Sequence, residues 1–405
     1  MVHGGQALGE LTDGRKVFVW NALPGETVQG RVIKQKRSYA EAIAESVANP
    51  SADRVEPEEA NYLSTSPWQI MTFEAENRYK RAIVEELFTH EKVSLPSLSD
   101  TVHDDRVWHY RNKMEYSFWG DDDGMHLALH QRGSHGKQIV LGSKLAMPAI
   151  DAAANAIVSQ LTALKTRAGD VKTLIVRCTQ DGQVVAALFT KLETFSKLTL
   201  PAELKGLRVY HSNPKSPASV PTKLLYELGD TSLEDEILGT PLLYDPIGFF
   251  QANVPVFEQA VAVVAEAAGQ GPNIDFYSGV GSIGLAIGHT KTLVETDPAS
   301  VAMARHNAAG TTVEVVEATA ETALDYVAAD ATLIVDPPRA GLHPKVTARI
   351  LEAAPPKVIY LSCNPATQAR DLALLQADYE ITQFEIYNFF PRTPHIETLA
   401  VLIHK

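Results

Sequence analysis

The chain has 405 residues, long for one compact core, which predicts two or three domains at roughly 100 to 200 residues each. Its 45% hydrophobic and 21% charged residues exclude a disordered chain; no apolar run approaches the roughly 20 residues that span a bilayer, and no signal pattern opens the sequence, so a cytoplasmic protein is expected. Two cysteines, Cys178 and Cys363, leave no disulfide framework and no cysteine-rich metal site, and 36 basic against 49 acidic residues give a net charge of −13, the wrong sign for non-specific coating of nucleic acid.

The first fifty residues alternate short β-rich runs (Lys16 to Trp20, Thr27 to Ile33, Ala40 to Ala44) with Gly and Pro, which predicts a small β-barrel. Arg31, Lys34, Lys36 and Arg37 cluster within it, as either a solvated strand face or an RNA-facing one. The acids Asp53, Glu56, Glu58 and Glu59 then lie in a Pro-containing stretch that reads as a linker. Ala82, Ile83, Leu87 and Phe88 predict an amphipathic helix from about Phe73 to Glu91. Strands follow from Tyr110 to Val140 around the Asp121-Asp122-Asp123-Gly124 turn. A helix is marked by Ile150, Ala154, Ile157, Leu161 and Leu164, and a hairpin pairs Thr173–Arg177 with Val184–Leu188, so the middle third reads as α+β. It ends in a loop-rich stretch near Asn213 to Pro221.

From about Ile237 strand and helix alternate. Pro255 opens a helix that Gly269 and Gly271 end, and strands at Asn273–Phe276, Thr292–Thr296, Val313–Val316, Thr332–Asp336 and Val358–Ser362 are separated by helical stretches. This predicts a doubly wound parallel sheet. Two final strands, Ile381–Tyr387 and Thr398–His404, have no helix between them and are expected to pair antiparallel.

The candidate chemistry sits at the carboxyl ends of these strands. Asp275-Phe276-Tyr277-Ser278-Gly279-Val280-Gly281-Ser282-Ile283-Gly284 is a Gly-rich turn that lets a ligand approach the backbone, and Glu295, ending the next strand, can bind the two hydroxyls of a ribose. Adenosylmethionine and a dinucleotide both fit such a site, and the remaining motifs give hydride transfer no role. Asp336-Pro337-Pro338-Arg339 holds a carboxylate in a rigid loop, able to accept hydrogen bonds from a base edge or, alternatively, to cap a helix. Cys178 lies inside an apolar strand as a small hydrophobe. Cys363, just before Pro365 opens a helix, is a candidate nucleophile whose pKa the helix N-terminus would lower. Glu397, in the Pro-stiffened run from Phe389 to Glu397, is a candidate general base.

In combination, Gln251-Ala252-Asn253, Asp275 to Gly284, Asp336-Pro337-Pro338-Arg339-Ala340-Gly341, Ser362-Cys363-Asn364-Pro365 and Pro391 to Glu397 resemble the RNA uracil-C5 methyltransferases, which make 5-methyluridine in tRNA or ribosomal RNA. Gly4 to Gly9 and Leu23-Pro24-Gly25-Glu26 resemble the RNA-binding TRAM barrel that precedes many members, and Tyr110-Arg111-Asn112-Lys113-Met114 the start of the central domain. The resemblance implies a TRAM-like barrel over 1–50, a central α+β domain over 51–236, and a Rossmann-like class I methyltransferase domain over 237–405 with an antiparallel last strand. It implies S-adenosyl-L-methionine as cofactor and RNA as partner, with neither membrane nor protein partner. Cys363 would add to carbon 6 of uracil, Glu397 would remove the carbon 5 proton, and Asp336 would bind the uracil edge against the cofactor. Gln251, Tyr277, Gly279, Gly281, Ser282 and Glu295 match cofactor-contact positions, with an asparagine common at the place of Ser282. A flipped uridine is implied. Many members also carry a four-cysteine iron–sulfur cluster; here the corresponding stretches read Ser64 to Met71 and Lys144 to Met147, so no cluster and no metal are expected.

Two other functions compete. An amino-group RNA methyltransferase on the same fold would need neither Cys363 nor Glu397, and a non-catalytic RNA-binding or folding factor would have no use for both. A tRNA T-loop uridine is the first expected target and a ribosomal site the second.

Overall fold

The computed structural model describes residues 1–405. Its first strands, β1 (Ala7–Glu10), β2 (Lys16–Trp20), β3 (Val28–Gln35) and β4 (Tyr39–Val47), form a four-stranded sheet in the order β1-β2-β4-β3, with a small core of alanines and valines. The edge strands β1 and β3 share no ladder, because β1 is only four residues long and pairs with β2 alone. The basic cluster is half neutralised by acids of β4: Lys34 lies 2.6 Å from Glu41 and Arg31 3.5 Å from Glu45, leaving Lys36 and Arg37 exposed.

A short turn of helix, α1 (Tyr62–Thr65), and a buried 3-10 turn over Pro67–Ile70 lead into α2 (Phe73–His90), whose N-terminus is capped by the Thr72 hydroxyl accepting from Ala75 N. The expected 51–236 unit is divided by its packing. Ile83, Val84 and Phe88 of α2 share a core with Val358, Tyr360, Leu372 and Phe384, all beyond residue 330, and Phe88 meets Phe384 edge to face at 4.9 Å. The central sheet has a core of its own. It is built from β5 (Lys113–Asp121), β6 (Gly124–His130), β7 (Lys137–Ile139), β8 (Val171–Cys178), β9 (Val184–Thr190), β10 (Gly206–His211) and β11 (Lys223–Gly229), in the order β11-β10-β9-β8-β5-β6-β7, with α3 (Pro148–Ala163) across it. A separate hairpin, β12 (Leu233–Ile237) with β13 (Thr240–Tyr244), follows.

The last sheet is the expected doubly wound one. After α4 (Val254–Ala268) come β14 (Asn273–Phe276), β15 (Thr290–Glu295), α5 (Pro298–Asn307), β16 (Glu314–Glu317), β17 (Thr332–Val335), α6 (Pro344–Ala353), β18 (Lys357–Ser362), α7 (Pro365–Leu375), β19 (Tyr379–Tyr387) and β20 (Glu397–His404). The order is β16-β15-β14-β17-β18-β20-β19: five parallel strands, then β20 inserted antiparallel between β18 and β19. Two expected crossover helices are missing. Residues 278–288 form successive turns, and β16 reaches β17 through two three-residue 3-10 turns. Glycines at 279, 281, 284 and 288 explain the first case, since they weaken a helix and two residues after the last of them a strand begins. No helix is long and apolar enough to cross a membrane.

Where the resemblance would have put cluster cysteines, polar side chains knit the same segments together. Gln69 Oε1 accepts from Glu58 N and Glu59 N, its Nε2 donates to Glu59 (2.8 Å) and to Ser66 Oγ (2.7 Å), and Glu59 accepts from Lys144 N (2.7 Å). Beside this knot Trp68, fully buried, joins three parts of the chain: its Nε1 donates to Gly5 O at 2.9 Å, its backbone N donates to Arg392 O at 3.1 Å, and Lys80 stands 5.8 Å from its ring. Trp68→Phe, which loses the indole hydrogen bond, is expected to lower stability by about 1 kcal/mol and Trp68→Ala by about 3–5 kcal/mol. Thermal melts of the two variants check the ranking, and an alanine variant as stable as the phenylalanine one would contradict it.

Candidate active site

The sheet order turns back at β14, and the parallel strands on either side of it open a crevice at their carboxyl ends. Asp275 at the end of β14 is buried, and its Oδ2 accepts from Gly284 N at 2.9 Å, folding the Gly-rich turn over itself. Burial raises its pKa to about 8. The turn runs through the left-handed region at Tyr277 (φ 63°), Gly279 (φ 56°) and Gly281 (φ 90°). Glu295 at the end of β15 is locked by three backbone donors, Gly279 N (2.9 Å), Thr296 N (2.6 Å) and Asp297 N (2.7 Å). A carboxylate held this way keeps free lone pairs for a diol without having to reorganise.

Tyr277, Gly279 and Glu295 line a cavity of about 850 Å³. It brings together Gln251, Tyr277, Gly279 and Glu295 with Asp336, Cys363 and Glu397, so seven of the nine site residues expected from sequence share one chamber. Gly281 and Ser282 are not in its lining. The turn carries Gly281 inward, where a Cβ would lie 2.7 Å from Leu285 Cδ1, so that glycine serves the fold of the turn. The fixed carboxylate, the open glycine backbone and the cavity volume fit an adenosyl group with an amino-acid tail, and Gln251, Tyr277, Gly279 and Glu295 would hold it.

The reacting side of the cavity is set by strand register. Ser362 of β18 pairs with Thr398 of β20, and because the two strands run oppositely, Cys363 leaving one lies beside Glu397 entering the other. Val335 of β17 pairs with Tyr360 of β18 and with Phe276 of β14, which puts Asp336 between the cysteine loop and Tyr277. Asn364 caps α7 through Ala366 N, and its Nδ2 donates to Arg339 O at 2.8 Å, tying the Asp-Pro-Pro-Arg loop to the cysteine loop. Cys363, Arg339 and His395 also face a second cavity of about 190 Å³, closed on one side by His3 and Gly4 from the start of the chain.

The electrostatics correct one expectation. The helix N-terminus was expected to lower the Cys363 pKa; instead the thiol is pushed up to about 12 by burial, with Glu397 and Asp336 adding their like charge. A half-charge at a helix end is outweighed by burial, to which the two carboxylates add. Burial lifts Asp336 to about 7. Burial and then Asp336 hold Glu397 well above the ordinary carboxylate range, against the pull of Arg339 and Lys80. Burial and then Arg339 push His395 down to about 4, so it is neutral at ordinary pH.

Among the lining residues to which the sequence gave no role are Phe249, Arg339 and His395, and Arg111, expected only as part of a basic RNA-binding segment, also reaches the cavity. Phe249 is 68% exposed at the cavity, a flat apolar face where a base can stack. Arg111 and Arg339 have no carboxylate partner within ion-pair distance. The doubled Phe249-Phe250 beside Gln251 and the Arg within each motif were visible signals; their exposure was not.

A thiol of this kind is expected to react slowly with iodoacetamide at neutral pH, its rate still climbing above about pH 9. Glu397→Gln removes one of the like charges, so its alkylation profile should move to lower pH. A profile that titrates near the free-thiol value of about 8.5 in the unmodified protein would contradict the assigned environment.

Comparison with known proteins agrees with this arrangement. The family model described as tRNA (uracil-5-)-methyltransferase matches residues 320–405, the stretch that contains Asp336, Cys363 and Glu397. An uncharacterized RNA methyltransferase of Listeria monocytogenes serotype 4b is 30% identical over 437 residues, covering 99% of this chain and 95% of that one. One of Thermotoga maritima is 28% identical over 435 residues, covering 100% and 97%. Among solved structures, Pyrococcus abyssi tRNA (uracil-54, C5)-methyltransferase in complex with S-adenosyl-L-homocysteine superposes with a TM-score of 0.77 at 21% identity, over 98% of this chain and 100% of that one, and shares the fold. With a relative at 30% identity along nearly its whole length and the family's own segment carrying the reactive residues, the chain belongs to the RNA uracil-5 methyltransferase family and is an RNA methyltransferase.

Proposed function

We propose that the protein methylates carbon 5 of a uridine in RNA, with S-adenosyl-L-methionine as methyl donor and Cys363 as covalent nucleophile. The observation that carries this reading is the juxtaposition, by the β18–β20 register, of a cysteine and a buried glutamate beside Asp336 in the chamber that Glu295 also lines.

Carbon 5 of uracil is too weak a nucleophile to take a methyl group unaided. Cys363 loses its thiol proton to solvent and adds as the thiolate to carbon 6, which forms the S–C6 bond and sends the C5–C6 π electrons onto O4 as an enolate, so that carbon 5 becomes nucleophilic. Bound adenosylmethionine supplies the electrophilic methyl group. Once carbon 5 carries that methyl group, Glu397 takes its remaining proton, the C–H pair becomes the new C5–C6 double bond, and the C6–S pair returns to sulfur. Asp336 orients the base edge, and its raised pKa lets it accept from N3–H when ionised or donate to a carbonyl oxygen when protonated. The substrate base must leave its stack to reach Cys363, and Phe249 offers a face to receive it.

The RNA contacts would be local rather than general. Lys36 and Arg37 on the N-terminal sheet of residues 1–50, with Arg111 and Arg339 at the cavity, supply positive charge on a chain of net charge −13. A tRNA T-loop uridine is the first target we propose, with ribosomal RNA second, in the cytoplasm.

RNA carrying 5-fluorouridine has no carbon 5 proton to release, so with adenosylmethionine present it should accumulate a denaturation-stable protein–RNA adduct. Cys363→Ala should abolish both adduct and methyl transfer, a loss of at least about 10⁴-fold, while cofactor binding survives. Normal turnover by the alanine variant would overturn the covalent reading. Mass-spectrometric mapping of 5-methyluridine in tRNA and ribosomal RNA from cells with and without the protein identifies the target.

A further inference from the structure

Helix α2 carries a buried ion pair that the reaction described above does not use. The side chains of Glu76 and Lys80, one turn apart, are both 0% exposed, with Lys80 Nζ 3.1 Å from Glu76 Oε1. Burying two charges loses more solvation than their attraction returns, and a well-packed apolar pair would brace a helix as well or better. Stability alone therefore does not account for the pair, and its contacts show what it holds.

All the remaining bonds of the pair go to the loop between β19 and β20, whose far end is Glu397. Lys80 Nζ donates to Asn388 Oδ1 at 2.5 Å and to Phe390 O at 3.2 Å. Glu76 accepts from Asn388 Nδ2 at 2.8 Å and from Arg392 N at 3.0 and 2.9 Å through its two oxygens. The loop is also held by Tyr110 OH on Pro391 O, at 3.0 Å, and by Trp68 N on Arg392 O. No other element presents a buried cation to this loop: Arg392 lies within it, and Arg339 approaches from the Asp-Pro-Pro-Arg side.

We propose that Lys80, with Glu76, is a positioning residue for proton removal: it fixes the loop that carries Glu397 and supplies the positive charge that keeps this glutamate able to act as a base. The proposal rests on the assignment of Glu397 as the base. The groups around Glu397 are Asp336 and Arg339 from the loop after β17, Cys363 from the loop after β18, His395 from its own loop, Arg111 from the segment before β5, and Lys80 from α2, with Glu76 beside Lys80. Burial, Asp336 and Cys363 as a thiolate favour the protonated form; His395 is neutral, and Glu76 is engaged with Lys80 and Arg392. Arg339 and then Lys80 favour ionisation; Arg339 stands on the exposed side of the cavity, and burial works against the charge of Lys80 while Glu76 supports it. In the step concerned, the carbon 5 proton passes to the Glu397 carboxylate, its bonding pair forms the C5–C6 double bond, and the sulfur departs from carbon 6 with the S–C6 pair.

The test separates that step from the earlier ones. Adduct formation on 5-fluorouridine RNA needs Cys363 and methyl transfer but no proton removal, whereas turnover on uridine RNA needs all three. In Lys80→Met the rate of adduct formation on 5-fluorouridine RNA is expected to stay within about 2-fold of the parent protein. On uridine RNA kcat should fall about 10-fold or more with KM unchanged, a denaturation-stable adduct should accumulate, and the acidic limb of kcat should move up by about one pH unit. Because that variant leaves Glu76 buried without its partner and can fail to fold, the neutral pair Glu76→Gln/Lys80→Met is measured beside it. Equal losses on both RNAs in the neutral pair would make the ion pair a brace only and overturn the proposal, as would unchanged turnover. Absence of the 5-fluorouridine adduct from the parent protein would instead overturn the covalent reading on which the proposal rests.

Discussion

The antiparallel insertion of β20 beside β18 is the constraint on which the site depends. In a wholly parallel sheet every strand delivers only its last residue to the functional edge, and a base would have to come from another crossover loop. Reversing β20 lets the residue that opens a strand meet the residue that follows its neighbour, and the Ser362–Thr398 pairing makes those residues Glu397 and Cys363. The ladder also makes the meeting rigid. Tyr360, Ile359 and their partners Ala400 and Val401 are buried on both faces, so a slip of register would expose a core strand as well as separate the two groups.

That arrangement has an electrostatic consequence. Asp336, Glu397 and Cys363 line one chamber, and burial makes each carboxyl group reluctant to ionise and the thiol more reluctant still. The site is therefore built to favour neutral forms until a substrate changes its charge. Such a site protects an otherwise reactive cysteine from alkylation and oxidation, at the cost of needing nearby cations when the base must be an anion. The cations come from outside the last sheet as well as from within it. Helix α2, the Trp68 turn and Tyr110 all reach into the loop before β20, so the catalytic edge is assembled from segments more than 280 residues apart in sequence.

Much of this was legible in the sequence because its signals are local. The parallel sheet follows from alternating strand and helix patterns, the antiparallel end from two strands with no helix between them, and Cys363, Asp336 and Glu397 from their positions at strand ends. What escaped depends on tertiary context. Periodicity identified α2 as a helix, yet nothing in Ala82, Ile83, Leu87 and Phe88 says that their partners lie near residues 358–384 rather than in the central sheet. The hairpin of β12 and β13 alternates buried and exposed residues over only five positions per strand, below what pattern reading resolves. The turn at 278–288 lost its expected helix to four glycines. The Cys363 pKa was read from one local feature, the helix N-terminus, while burial, which decides it, and the carboxylates of two other strands come from tertiary packing. The Gln69–Glu59–Lys144 knot joins positions 85 residues apart, and no spacing rule links a glutamate to a backbone donor at that range.

The central claim is that methyl transfer proceeds at carbon 5 through addition at carbon 6 and loss of the carbon 5 proton. It is tested most directly by RNA labelled with tritium at carbon 5 of uridine, counting tritium released to water against methyl groups incorporated. The account requires one tritium released for each methyl group transferred. Methylated RNA that keeps its tritium would put the methyl group on a nitrogen or a ribose oxygen and would contradict the roles given to Cys363 and Glu397.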